Sequence, residues 1–294
     1  MATGAEQVSP AGADDVPLVV SSYTLGTDVS FPERVRVAAE AGFAGIGLRA
    51  ENYWDARSAG LDDAAMLEIL DSHGVAVMEV EYLTEWGTES ERDAAQRAKE
   101  ETVFHLARTF GVAHMNAGLV APVPEDGLVD AFRGLCRRAE ELTVALEFLP
   151  YGAVPDLLTA WRLVRDAGES NGALVLDAWH RARSGMSDAD LAAVPADRIV
   201  SVQLCDVLEH PMTPARLESL HHRLPPGQGY GDVDGMLRAV RSKGVRPWVI
   251  AVEVINDDLL DRGLDTTART VIAAAREVLG RSWVAPPVGA SSSD

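Results

Sequence analysis

Short apolar runs punctuate the chain at residues 18–23, 45–49, 75–81, 112–116, 143–148, 173–176, 199–204 and 248–254. They are largely continuous rather than alternating, the pattern of parallel strands buried on both faces. Between them lie longer stretches at helical spacing. Residues 31–41 open on Ser30, Pro32 and Glu33, which are start signals, and close on Gly42, a usual stop. Residues 62–72, 91–110, 155–167 and 264–279 read as helices too, closing near Gly74, Gly111, Gly168 and Gly280. Helix, glycine, strand is the order of repeated βα units. Eight such units predict an α/β protein of one domain, a closed (β/α)8 (TIM) barrel. An open doubly wound sheet would carry a glycine-rich phosphate turn after its first strand, and the stretch from Ser21 to Gly26 has none. The barrel is expected over 17–282, with a loose tail at 1–16 and another at 283–294.

In a parallel barrel the chemistry sits at the carboxyl ends of the strands. The last four runs each carry a polar residue there: Glu147, Asp177, Gln203 and Glu253. A carboxylate in an apolar strand must be paired, protonated or bound to a cation. One alone caps a helix as readily as it serves a site. Three carboxylates and an amide on consecutive strands, with no lysine or arginine within them, point to one shared divalent cation. An all-oxygen ligand set suits Mn2+ or Mg2+, with Co2+ as a third candidate. His180 and Arg223 belong near the same mouth. They read either as substrate contacts or as a surface histidine and a loop-fixing arginine. Glu79 and Glu81 face one side of the third strand; Glu81 could reach a substrate or be salt-bridged within the barrel. His114 and Asn116 on the fourth strand are further candidates. Asp206 is a candidate for orienting a ligand, and Trp54, Trp86 and Trp179 for roofing the pocket.

The stretches Ala41-Gly42-Phe43-Ala44-Gly45-Ile46, Leu146-Glu147-Phe148, Asp177-Ala178-Trp179-His180, Val202-Gln203-Leu204-Cys205-Asp206, Arg223-Leu224-Pro225-Pro226-Gly227-Gln228-Gly229 and Val252-Glu253-Val254, in this order, resemble the xylose isomerase-like barrel superfamily, in particular its sugar-phosphate isomerase/epimerase branch. The resemblance covers about 18–279. It implies that Glu147, Asp177, Gln203 and Glu253 ligate the metal, and that His180 and Arg223 contact substrate. It also implies that Glu147 and Glu253 form the proton-transfer pair. Three positions depart from the pattern. Many epimerases carry histidine where Gln203 stands; glutamine resembles the hydroxypyruvate isomerase and 3-dehydroshikimate dehydratase branches. Gly47 replaces a usual acidic residue on the second strand. The usual Pro-Gly-Glu-Gly loop reads Pro226-Gly227-Gln228-Gly229.

The leading expectation is therefore a metal-dependent isomerase or epimerase acting on a small sugar-like hydroxy-carbonyl compound through an enediolate. Its alternative is a metal-dependent dehydratase of a cyclic β-hydroxy ketone such as 3-dehydroshikimate or an inosose. With 26 Lys and Arg against 45 Asp and Glu the net charge is −19, which argues against a nucleic-acid partner or an anionic membrane. That charge and only seven histidines weigh against a DNA-repair endonuclease on the same barrel. A non-catalytic sugar-binding barrel would tolerate the loss of a ligand, and all four are present. Two isolated cysteines, Cys136 and Cys205, form no disulfide framework, which fits a reducing cytoplasm. The N-terminus lacks the make-up of a signal peptide, and no apolar run nears the roughly 20 residues of a membrane span. The expected partner is the small substrate; a homodimer is left open.

Overall fold

A computed structural model of the chain describes residues 16–87 and 93–283. Its eight strands are β1 (Leu18–Val20), β2 (Gly45–Arg49), β3 (Ala76–Leu83), β4 (His114–Ala117), β5 (Thr143–Glu147), β6 (Gly172–Asp177), β7 (Ile199–Leu204) and β8 (Val249–Val252). They pair in chain order, all parallel, and β8 returns to β1 with Leu18 beside Ile250 and Val20 beside Val252, closing the barrel. Every residue of β2, β4, β6, β7 and β8 is buried, which is why these runs show no alternation.

The helices clothe this barrel: α1 (Phe31–Ala41), α2 (Ala50–Ser58), α3 (Asp63–His73), α4 (Ala94–Phe110), α5 (Leu128–Ala139), α6 (Leu157–Ala167), α7 (Ala178–Ser184), α8 (Asp188–Ala193), α9 (Ala215–His221), α10 (Val233–Ser242), α11 (Asp257–Leu260) and α12 (Leu264–Ser282). Side chains of Ser30, Asp62, Asp93 and Asp156 accept the free amides of their first turns, so the expected starts at 62, 91 and 155 move inward to the residue after each cap. Gly42 ends α1 in the left-handed region at φ 89°, where a side chain would be strained.

Two boundaries differ for physical reasons. The run at 18–23 is strand only to Val20, after which Ser22–Leu25 form a 3-10 turn. Thr24 Oγ1 donates to Val252 O (2.9 Å) and accepts from Val254 N (3.0 Å), so the turn straps the end of β1 to the end of β8. Gly280 does not stop α12, which runs on to Ser282. A helix-interior glycine costs only about 1 kcal/mol, and buried Val278 and Trp283 on either side hold the helix through it. Of the expected tails, Val16 packs on the core and Trp283 is buried; 1–15 and 284–294 lie outside the described residues. No helix among the described residues is long and apolar enough to cross a membrane.

Candidate active site

The barrel carries Glu147 and Asp177 as the last residues of β5 and β6 and Gln203 as the next-to-last residue of β7. Glu253 follows β8 directly, its amide donating to Leu204 O (3.0 Å) and extending the ladder by one residue. All four side chains are buried. Asp177 also caps α7, its Oδ1 accepting from His180 N at 2.7 Å. That cap aims the first turn of α7, and with it His180, across the mouth of the barrel.

Arg223 is delivered by a different device. Asp206 and Leu224 exchange both backbone hydrogen bonds (2.7 and 2.9 Å), Arg223 N donates to Ile255 O (3.0 Å), and Asn256 Nδ2 donates to Arg223 O (2.9 Å). The segment is thereby clamped between the exits of β7 and β8. Asp206 serves this clamp: its carboxylate accepts the amides of Val207, Gly227, Gly229 and Gly231 at 2.7–3.0 Å. A Cβ at Gly231 would stand 2.9 Å from the Asp206 carboxylate, and one at Gly229 would overlap Val207 O and stand 2.8 Å from that carboxylate, which explains these two glycines.

Five of the expected residues meet in one cluster. His180 Nε2 lies 3.3 Å from Glu147 Oε1 and 3.9 Å from Asp177 Oδ1. Arg223 Nη1 donates to both Asp177 Oδ2 (3.0 Å) and Glu253 Oε2 (3.1 Å), and its Nη2 is 3.5 Å from His180 Nε2. His180 is only 1% exposed and Arg223 3%, so neither is a surface residue. Ligand atoms of Glu147, Asp177 and His180 lie within 4.8 Å of one another, which adds His180 to the groups able to hold a cation. Gln203 lies beside Asp177 in the barrel register, its Nε2 donating to Glu79 Oε1 at 3.4 Å. Asn116 Nδ2 donates to the same Glu79 oxygen.

Glu81 sits on the other wall, accepting from Arg49 Nη1 (3.3 Å) and from Ser22 N (3.1 Å). Arg49 ends β2, and its guanidinium lies 4.0 Å from the Tyr23 ring centre and 5.4 Å from that of Tyr82. Neither Arg49 nor Tyr82 stands out in the sequence. The one available signal was a lone arginine closing an apolar run. His114 is buried lower in the barrel against Trp248, ring centres 6.0 Å apart. Trp179 packs on His180 (5.2 Å) beneath Arg223. Trp86 is buried against Phe132 and Trp54 bonds Thr102 on α4, so only Trp179 of the three borders the cluster.

Electrostatics divide the carboxyl groups. Burial raises Glu253 well above the ordinary range; Arg223 opposes this, and Glu147 and Asp177 add to it. Burial works the same way on Glu147, but His180, Arg223 and the Tyr82 hydroxyl outweigh it and hold that carboxyl below its ordinary value. Glu79 is raised well above its ordinary value by burial and by the charges of Glu81 and Glu253. Glu81 is raised by burial despite Arg49. Burial beside Asp177 lifts the Cys205 thiol far above the range of a nucleophile. The protein groups alone thus provide one carboxylate that stays ionised next to one that favours its proton, the pairing that general acid–base chemistry uses.

Gln203 Oε1 is buried without a hydrogen-bond donor, and Glu147 Oε1 has only His180 Nε2 beside it, at 3.3 Å. An unpaired buried acceptor costs about 1–3 kcal/mol, and a divalent cation shared with the neighbouring carboxylates would serve both oxygens. The donor set therefore fits a hard cation.

A closed eight-stranded barrel with a buried, carboxylate-rich cluster at the carboxyl ends of its strands defines the class. The model of the xylose isomerase-like TIM barrel family matches residues 35–280, and the chain belongs to that family. It is 27% identical over 259 residues to a 3-dehydroshikimate dehydratase of Pseudomonas aeruginosa, covering 85% of this chain and 40% of that protein. It is 26% identical over 245 residues to a 3-dehydroshikimate dehydratase of Pseudomonas putida, covering 81% and 38%. The chain thus spans about two fifths of the length of these curated relatives. A solved structure of an IolI protein with a binding zinc atom has the same fold, with a TM-score of 0.82 at 19% identity over 90% of this chain and 99% of that one.

Proposed function

We propose that the chain is a divalent-metal-dependent lyase that removes water from a cyclic β-hydroxy ketone bearing a carboxylate, of the 3-dehydroshikimate kind. The sequence likeness to two 3-dehydroshikimate dehydratases carries this reading over the isomerase or epimerase expected first. The choice of Gln203 where many epimerases place histidine agrees with it. Glu147, Asp177, Gln203 and Glu253 would hold one Mn2+ or Mg2+. When bound, the cation would polarise the ketone oxygen and stabilise the charge that develops there.

The chain's own groups supply the proton transfers. Glu147, held ionised beside His180, takes the proton from the carbon next to the ketone. The electron pair of that C–H bond moves toward the carbonyl and returns to expel the β-hydroxyl. Glu253, the second glutamate of the pair, carries a proton to the departing oxygen, so the products are the conjugated ketone and one water. Arg223 keeps Glu253 and Asp177 in place (3.1 and 3.0 Å) and has one nitrogen committed to both. Arg49, with Nε free of any hydrogen bond, is the better placed cation for the substrate carboxylate. In an isomerase or epimerase the same two glutamates would pass one proton between them. That second reading keeps its support from their positions on separate walls of the barrel.

The deciding experiment incubates Mn2+-loaded protein in D2O with 3-dehydroshikimate, hydroxypyruvate and a panel of ketoses, beside a Glu253→Gln control. Loss of water from 3-dehydroshikimate, read as a new near-ultraviolet band and abolished in the control, is the expected result. Deuterium entering next to the carbonyl of a ketose without loss of water would overturn the lyase in favour of the isomerase.

A further inference from the structure

We propose that Glu79, seated below the candidate metal site, is a positioning residue that fixes which end of the Gln203 amide faces that site. The inference rests on Gln203 being a metal ligand. A glutamine can present its oxygen or its NH2, and only the oxygen can ligate a cation. A histidine in the same place would be fixed by its ring; a glutamine needs an outside partner to choose its orientation.

The structure provides that partner from across the barrel. β3 and β7 are separated by three strands on one side and three on the other, so Glu79 and Gln203 face each other through the interior. Glu79 Oε1 accepts from Gln203 Nε2 at 3.4 Å. The same oxygen accepts from Asn116 Nδ2 on β4, which fixes the Glu79 carboxyl from the side. With Nε2 directed at Glu79, Gln203 Oε1 is left buried and without a donor, as a ligand atom awaiting a cation would be. Glu79 is fully buried (0% exposed) and sits two residues before Glu81 on the inward side of β3. Because Glu79 Oε1 already accepts from Asn116 Nδ2, that oxygen carries no proton to offer, so a flipped amide would set the Gln203 oxygen against it and turn NH2 toward the carboxylates' cation. Partners of this kind behind metal ligands typically change affinity by roughly 10- to 100-fold when removed.

A double-mutant cycle read by Mn2+ binding tests this, using calorimetry on the full chain with thermal unfolding as a check on folding. Glu79→Leu removes the acceptor and Glu79→Gln keeps one. Gln203→Glu replaces the amide with a carboxylate whose two oxygens are equivalent, so it needs no orienting. The expected result is a roughly 10- to 100-fold weaker Mn2+ Kd for Glu79→Leu in the Gln203 protein, recovery to within about threefold in Glu79→Gln, and little or no loss from Glu79→Leu in the Gln203→Glu background. Equal losses in both backgrounds would mean that Glu79 only supports the barrel, and no loss in either would mean that it does nothing for the ligand. Wild-type protein that fails to bind Mn2+ would overturn the metal reading and this inference with it, whereas normal Mn2+ binding with no coupling overturns this inference alone.

Discussion

Glu81 occupies the space that a side chain on Gly47 would fill. A Cβ built on Gly47 would overlap Glu81 Oε1 and stand 3.1 Å from Ser22 N. Glu81 cannot simply swing away, because Arg49 Nη1 and Ser22 N hold it (3.3 and 3.1 Å). Gly47 on the second strand thus leaves the room that Glu81 of the third strand takes. Gly47→Ala should cost about 1–3 kcal/mol by overpacking. Gly47→Asp combined with Glu81→Ala should recover most of the loss of Gly47→Asp alone, since one carboxylate again faces Arg49. Urea unfolding of the single and double variants checks this; a Gly47→Ala protein as stable as wild type would refute the packing argument.

Arg49 differs from Arg223 in how its donors are spent. Arg223 serves Asp177, Glu253, Ser219 and the approach to His180. Arg49 gives one hydrogen bond to Glu81, and its Nε lies 3.9 Å from Glu51 Oε2, too far to bond. Two tyrosine rings hold the guanidinium plane in place, so a ligand would not have to order it. Arg49→Met should raise KM for a carboxylate substrate by about 10- to 100-fold, the worth of a charge-assisted hydrogen bond, and leave KM for the corresponding methyl ester nearly unchanged. Steady-state kinetics on the acid and the ester separate the two; equal effects on both would show that Arg49 shapes the mouth without reading charge.

The barrel and its carboxylate ring were legible because each left a local mark. Asp177 and Glu147 are polar residues closing apolar runs, and the helix–glycine–strand order repeats along the chain. What stayed hidden are relationships between distant residues. Arg49 lies between Tyr23 and Tyr82, and Glu79 takes hydrogen bonds from Asn116 and Gln203; only barrel closure brings these side chains together. Arg223 was legible as a member of the site, but its partners lie 46 and 30 residues away, so its engagement by the site's own carboxylates was not. Gly280 misled for the opposite reason. A local stop signal was overridden by the packing of Val278 and Trp283.

Asp206 holds the loop that carries Arg223. Four backbone amides converge on its two oxygens, and its backbone pairs with Leu224. Asparagine is no remedy here, because each carboxylate oxygen faces two donors and an NH2 would meet N–H groups at one end. Asp206→Asn and Asp206→Ala should therefore lose similar stability, on the order of 2–4 kcal/mol, and both should cut turnover by releasing Arg223. Thermal unfolding and limited proteolysis read the first effect. An Asp206→Asn protein with wild-type stability would show that the loop is held by its backbone bridges alone.

His114 gives the barrel a specific acid sensitivity. Burial lowers its imidazole from 6.5 to about 4, and its Nε2 is buried without a partner. Above the unfolded value both states hold a neutral ring, and pH has no effect through this group. As pH falls from 6.5 toward 4 only the unfolded chain takes the proton, so the folded state loses stability across that window. The slope is at most about 1.4 kcal/mol per pH unit, or roughly 3 kcal/mol in all. His114→Leu should remove this component and leave the acid loss due to carboxylates in place. Unfolding free energies measured from pH 7 down to pH 4.5 should diverge below the unfolded value, with the variant falling less steeply than wild type. Parallel profiles would mean that His114 is protonated inside the folded barrel, against the apolar burial that the structure shows.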